Sequence, residues 1–245
     1  MMHTAVPENP GHREYIAIES PEQIPTASNM DVFQRPARED LANWLTHGLG
    51  FLLSLVGAVA LLLRAAENST SAVFVACLVY SFSASGLYLS SMLSHKVTDP
   101  PKRAWFRMLD QAFIYLMITG SFTPFTTAFL NDAWWNGVIG FMWSVSIFGF
   151  VSKIFFAHRV EKVAVWFYLL LGWTPLFAGL FSAEALPAEP FWSIVIGGAF
   201  YTGGTFFLFN DQIRWYFHAI WHLFVIAGSA VHFFGIYCFV CAVHV

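Results

Sequence analysis

This sequence predicts an all-α integral membrane protein, a bundle of seven transmembrane helices with its N-terminus in the cytoplasm and its C-terminus outside. Composition points there first. Hydrophobic residues make up 57% of the 245 and charged residues only 11%, and the mean hydropathy is +0.59. A soluble domain carries roughly a quarter charged residues, so this chain could not cover its surface in water. Seven apolar stretches then each approach the roughly 20 residues that a helix needs to cross a bilayer. Finally, eleven of the twelve Lys and Arg residues fall on one side of those stretches.

In chain order, residues 1–38 are polar, contain Pro7, Pro10, Pro21, Pro25 and Pro36, and have no apolar core; they predict a disordered cytoplasmic tail and no secretory signal. Residues 39–245 predict one transmembrane domain, with helices at about 41–63, 72–94, 108–129, 134–155, 162–182, 190–209 and 217–241. Helices are required because lipid cannot satisfy free backbone groups, and the stretches are too long and too uniformly apolar for barrel strands. Arg13, Arg35 and Arg38 lie in the tail. Lys96, Lys102, Arg103 and Arg107 lie between helices two and three, Lys153, Arg159 and Lys162 between four and five, and Arg214 between six and seven. Only Arg64 falls on the other side. The positive-inside rule turns that asymmetry into the stated orientation. Net charge is −3, so nothing suggests nucleic acid.

Pro124 and Pro175 predict kinks in helices three and five. Gly197-Gly198 and Gly203-Gly204 predict close helix approach at helix six. Cys77, Cys238 and Cys241 all lie in apolar segments and read as small packing residues, not a disulfide framework.

Ionisable groups inside such helices cost roughly 2.5–3.5 kcal/mol at the bilayer centre and so need a reason. The candidates are His47, His95, Asp110, His218, His222 and His232. With the predicted orientation, all but His232 fall in one layer near the cytoplasmic leaflet, Asp110 in the first turn of helix three. His218 and His222 are i and i+4, on one helix face and about 6 Å apart along the axis. That spacing lets two imidazoles meet one metal ion, and His95 can supply a third nitrogen. Three histidines and an open fourth position make a catalytic-type zinc site. Asp110 would hold a water there, and Ser91, one turn deeper than His95 on the same face, would hydrogen-bond a substrate oxygen. His47 and His232 read as polar packing or cavity lining. A lone membrane histidine is more often a packing residue than a ligand; the shared layer is what favours the metal.

These motifs resemble those of the bacterial hemolysin III family, relatives of the adiponectin and progestin receptors and, more distantly, of alkaline ceramidases. The likeness runs from about Glu39 to the C-terminus. It is carried by Glu39-Asp-Leu-Ala-Asn43-Trp-Leu-Thr46-His47-Gly48, by Ser91-Met-Leu-Ser-His95, by Asp110 with Ile114, Tyr115 and Gly120-Ser-Phe-Thr-Pro124-Phe125, and by the run from His218-Ala-Ile-Trp-His222 to His232. The resemblance implies zinc on His95, His218 and His222, with Asp110 contacting a water on the metal and Ser91 nearby. The function expected is zinc-dependent hydrolysis of an amide or ester bond in a membrane lipid. The rival expectation is a receptor or lipid sensor with structural zinc, or a cytolysin.

Overall fold

A computed structural model describes residues 37–156 and 161–242. The described residues fold into α1 (Ala37–Asn68), α2 (Ser71–Lys96), α3 (Pro100–Phe129), α4 (Ala133–Phe156), α5 (Glu161–Gly179), α6 (Ala188–Phe209) and α7 (Phe217–Gly235), continued by a π-turn at Ile236–Val240, with no strand among them. Apart from Ala37 and Arg38, which open α1, the tail expected at 1–38 lies outside the described residues, as does Arg159. Six helices are long and apolar enough to cross a membrane; α5 offers the shorter apolar stretch Val165–Gly179.

The helix starts follow local chemistry. Thr70 caps α2, its hydroxyl accepting from Val73 N–H at 3.3 Å, and Asp99 caps α3, accepting from Lys102 N–H at 3.3 Å. Pro100 and Pro101 then occupy the first turn of α3, where a missing N–H costs nothing. This start lies eight residues before the one expected from hydropathy. Asp110 is therefore about three turns into α3, not in its first turn. The apolar window passes over the Asp-Pro-Pro stop-and-start signal because Lys102 and Arg103 come directly after it.

Successive helices pack on one another and α1 returns to α7, closing a ring. Its outer face is apolar: Phe148, Phe155 and Phe181 are each about three-quarters exposed, which suits lipid and would drive aggregation in water. Helices also meet through polar contacts. Thr119 Oγ1 and Ser146 Oγ join α3 to α4 at 2.7 Å, Trp173 Nε1 donates to Thr202 Oγ1 between α5 and α6, and Ser229 on α7 meets Tyr88 of α2 at 2.7 Å and Tyr201 of α6 at 2.9 Å. Gly204 lets α6 and α7 touch: a Cβ there would lie 2.7 Å from both Phe224 Cβ and Trp221 Cε3.

Candidate metal centre

Two helices bring the histidines together. His95 comes from the last turn of α2, and His218 and His222 from the first two turns of α7. Their ring centroids are 4.7–5.3 Å apart, and one nitrogen of each lies within 4.8 Å of the others. Among the described residues this is the one group of three or more His, Cys, Asp or Glu with ligand atoms so close.

Each of the three imidazoles has Nδ1 committed to an acceptor. His95 Nδ1 faces Asp40 Oδ1 at 3.4 Å, and His218 Nδ1 faces Asp211 Oδ2 at 3.1 Å. A carboxylate only accepts, so both rings carry their proton on Nδ1. His222 Nδ1 lies 3.0 Å from Thr46 Oγ1, whose hydroxyl has the carbonyls of Ala42 and Asn43 at 2.9 Å. Thr46 donates to those carbonyls and accepts from His222. In all three rings Nε2 is thus the basic nitrogen. Metal-binding histidines are oriented in the same way, by an acceptor on the far side of the ring. Arg103 forms an ion pair with Asp40, which balances that carboxylate where α1, α2 and α3 meet.

The donor set fits zinc: three neutral imidazoles with room for a fourth ligand. Nitrogens about 2.0–2.1 Å from one ion stand roughly 3.3 Å apart, so small side-chain rotations close the present spacing. Asp110 and Ser91 line a cavity of about 680 Å³ together with the three histidines. The Asp110 carboxyl is close enough to interact with the Ser91 hydroxyl, yet Ser91 Oγ is buried without a well-formed hydrogen bond. The remaining lining is mostly apolar, including Leu87, Ile114, Phe122, Leu176 and Val195.

His47 and His232 also line this cavity and stay outside the cluster. The His47 ring stacks on His222 at 3.6 Å and 22°; it supports the ring's face instead of offering a nitrogen beside it. His232 lies ten residues beyond His222, about 15 Å along the axis, with Nε2 facing the Ile194 carbonyl at 3.4 Å. Reading the sequence left Asp211 unmarked and gave Asp40 and Thr46 no role beyond their place in the opening motif. Asp40 and Asp211 lie at helix ends, where polar residues look like ordinary interfacial positions, and Thr46, inside α1, looks like a hydroxyl satisfied by the carbonyls of its own helix. The signal was the chemistry itself, since a buried imidazole N–H needs an acceptor at the same depth.

Fold and cluster define a multi-pass membrane protein with a polar histidine centre opening into an apolar cavity. A family model described as Haemolysin-III related matches residues 36–233, and the chain belongs to that family. Hemolysin-3 of Bacillus cereus is 36% identical over 197 residues, covering 80% of this chain and 90% of that protein. The Hemolysin-3 homolog of Bacillus subtilis (strain 168) is 34% identical over 203 residues, covering 82% and 95%. Human Monocyte to macrophage differentiation factor is 26% identical over 204 residues, covering 81% and 83%. No solved structure matches the chain significantly.

Proposed function

We propose that this protein is a zinc-dependent hydrolase that cleaves an amide or ester bond of a membrane lipid, working in the cell membrane as a seven-span bundle with the histidines near the cytoplasmic face. The observation that carries the reading is the set of three imidazoles, each with Nδ1 held by an acceptor, at the end of a largely apolar cavity. Its volume falls in the range of small-molecule sites, and its lining suits an acyl chain. The seven-span count takes α5 as a crossing helix, and the orientation rests on the eleven-to-one distribution of basic residues.

Zinc, when bound, supplies a Lewis acid that polarises a carbonyl and makes a water acidic near neutral pH. The chain's own residues do the rest. Asp110 accepts the proton of the attacking water and passes it to the leaving group. Ser91, which lines the cavity beside Asp110, donates to the carbonyl oxygen as charge develops there. The apolar cavity holds the chain of the lipid and excludes bulk water.

A receptor with structural zinc is the second reading, and the same cavity favours it, because a lipid can be held without being cleaved. One variant separates the two. Under the hydrolase reading, Asp110→Asn keeps about one zinc per chain and its melting temperature while hydrolysis falls on the order of 10²–10⁴-fold. Under the structural reading, with Asp110 ligating, zinc content and melting temperature fall together. A wild-type protein with full zinc that cleaves nothing in a broad panel of lipid amides and esters would end the hydrolase reading.

A further inference from the structure

The end of the bundle away from the histidines holds a second cluster. Cys77 is eighteen residues before His95 on α2, about 27 Å along the axis. Its Sγ lies 3.7 Å from the Sγ of Cys241, 164 residues away in the chain. Both side chains are wholly buried. Ser69, in the turn between α1 and α2, and Arg64, near the end of α1, flank Cys241, and the Arg64 guanidinium lies over the Tyr237 ring at 4.6 Å.

Backbone geometry selects this pair. After Gly235 the helix widens into the π-turn, closed by Cys241 N–H donating to the Ile236 carbonyl at 3.0 Å, an i to i+5 bond. A π-turn takes up one extra residue, so the residues beyond it are rotated by about 100° from their place in a continuous α-helix. Cys241 is thereby turned onto Cys77, while Cys238 stays exposed. The Cys-x-x-Cys of the sequence is split: one thiol faces the bundle and the other faces away.

We propose that Cys77 and Cys241 are a disulfide-forming dithiol, a modification site that staples the C-terminal π-turn to α2 when a small organic disulfide acts as oxidant. Closing the sulfurs from 3.7 Å to the roughly 2.05 Å of a disulfide needs a relative shift of about 1.7 Å, within reach of side-chain rotation and a small movement of the last turn. The step balances. One cysteine, as thiolate, attacks a sulfur of the oxidant, releasing one oxidant thiol and leaving a mixed disulfide on the protein. The second cysteine, as thiolate, attacks the protein sulfur of that mixed disulfide and releases the other oxidant thiol. The two protons lost by the cysteines end on the two released thiols, and two electrons pass from the protein pair to the oxidant. Cys241 reacts first, because helix ends fray. The bond closes a loop of more than 150 residues, and long loops gain most from closure. On the proposed orientation the pair lies toward the extracytoplasmic side, where disulfides persist; the exchange chemistry does not depend on it.

The test uses the purified full chain, incubated with oxidised glutathione, then denatured in detergent in the presence of N-ethylmaleimide so that every remaining thiol is alkylated, digested and analysed by mass spectrometry without reduction. The expected result is a linked Cys77–Cys241 peptide, a fall from three alkylated thiols to one, with Cys238 the survivor, and full reversal by dithiothreitol. The melting temperature rises by roughly 5–10 °C on oxidation, and Cys238→Ser oxidises in the same way. Three alkylated thiols after oxidation, a glutathione adduct that never resolves into a cross-link, or a cross-link through Cys238 would each overturn the proposal. Zinc content and lipid hydrolysis play no part in this readout, so it fails or succeeds apart from the hydrolase reading.

Discussion

At the scale of single residues, the histidine cluster is built from acceptors as much as from imidazoles. Asp211 holds His218 from the turn between α6 and α7, at 3.1 Å. Asp211→Asn keeps the size of that side chain but offers a weaker acceptor and permits the wrong imidazole tautomer. Zinc affinity should fall about 10–100-fold, read by competition with a chelating dye, with the chain still folded. His218→Ala and His222→Ala each remove a nitrogen and should strip most of the zinc. His47→Ala should not, because His47 touches the face of His222 and not the space between the three rings. If metal analysis finds the His47 variant as empty as the His218 variant, the ligand set is wrong.

Among the elements, the α6–α7 contact is the tightest device bearing on the site, since α7 carries two of the three imidazoles. Gly204 faces Phe224 Cβ and Trp221 at 2.7 Å, and an atom as close to the backbone as a Cβ cannot rotate away. Gly204→Ala should therefore push the helices apart, costing about 1–3 kcal/mol and lowering the melting temperature by roughly 3–10 °C. Gly140 on α4 is the control, with nothing within 4 Å of its notional Cβ; Gly140→Ala should be neutral or slightly stabilising. Equal melting of the two variants would mean that α6 and α7 are not packed as described.

For the whole molecule the open quantity is which way it lies in the bilayer. A reporter fused after Val245 should read outside, and one inserted in the connection between α2 and α3, beside Lys96 and Lys102, should read inside. A cytoplasmic reading at Val245 would mean that one of the seven helices, α5 being the shortest apolar stretch, does not cross. The histidine layer would still stand at one end of the bundle, because it is set by helix packing and not by the membrane.

The sequence alone determined the helical class, because the cost of an unpaired backbone group in lipid leaves an apolar stretch of this length little choice. It also marked His95, His218, His222, Asp110 and Ser91, since polar groups among apolar residues stand out and i, i+4 spacing is local geometry. Local signals that compete with hydropathy were harder to read: the Asp99-Pro100-Pro101 start of α3 was legible as chemistry and hidden by the apolar window. Tertiary structure decided the rest. Asp40, Thr46 and Asp211 became partners of the imidazoles only when α1 and the α6–α7 turn were brought to α2 and α7, and Cys77 met Cys241 only through a π-turn that no periodicity announces. Contacts between residues distant in the chain depend on how helices rotate and pack, and that rotation is set by the sum of many side-chain fits and not by any one stretch of sequence.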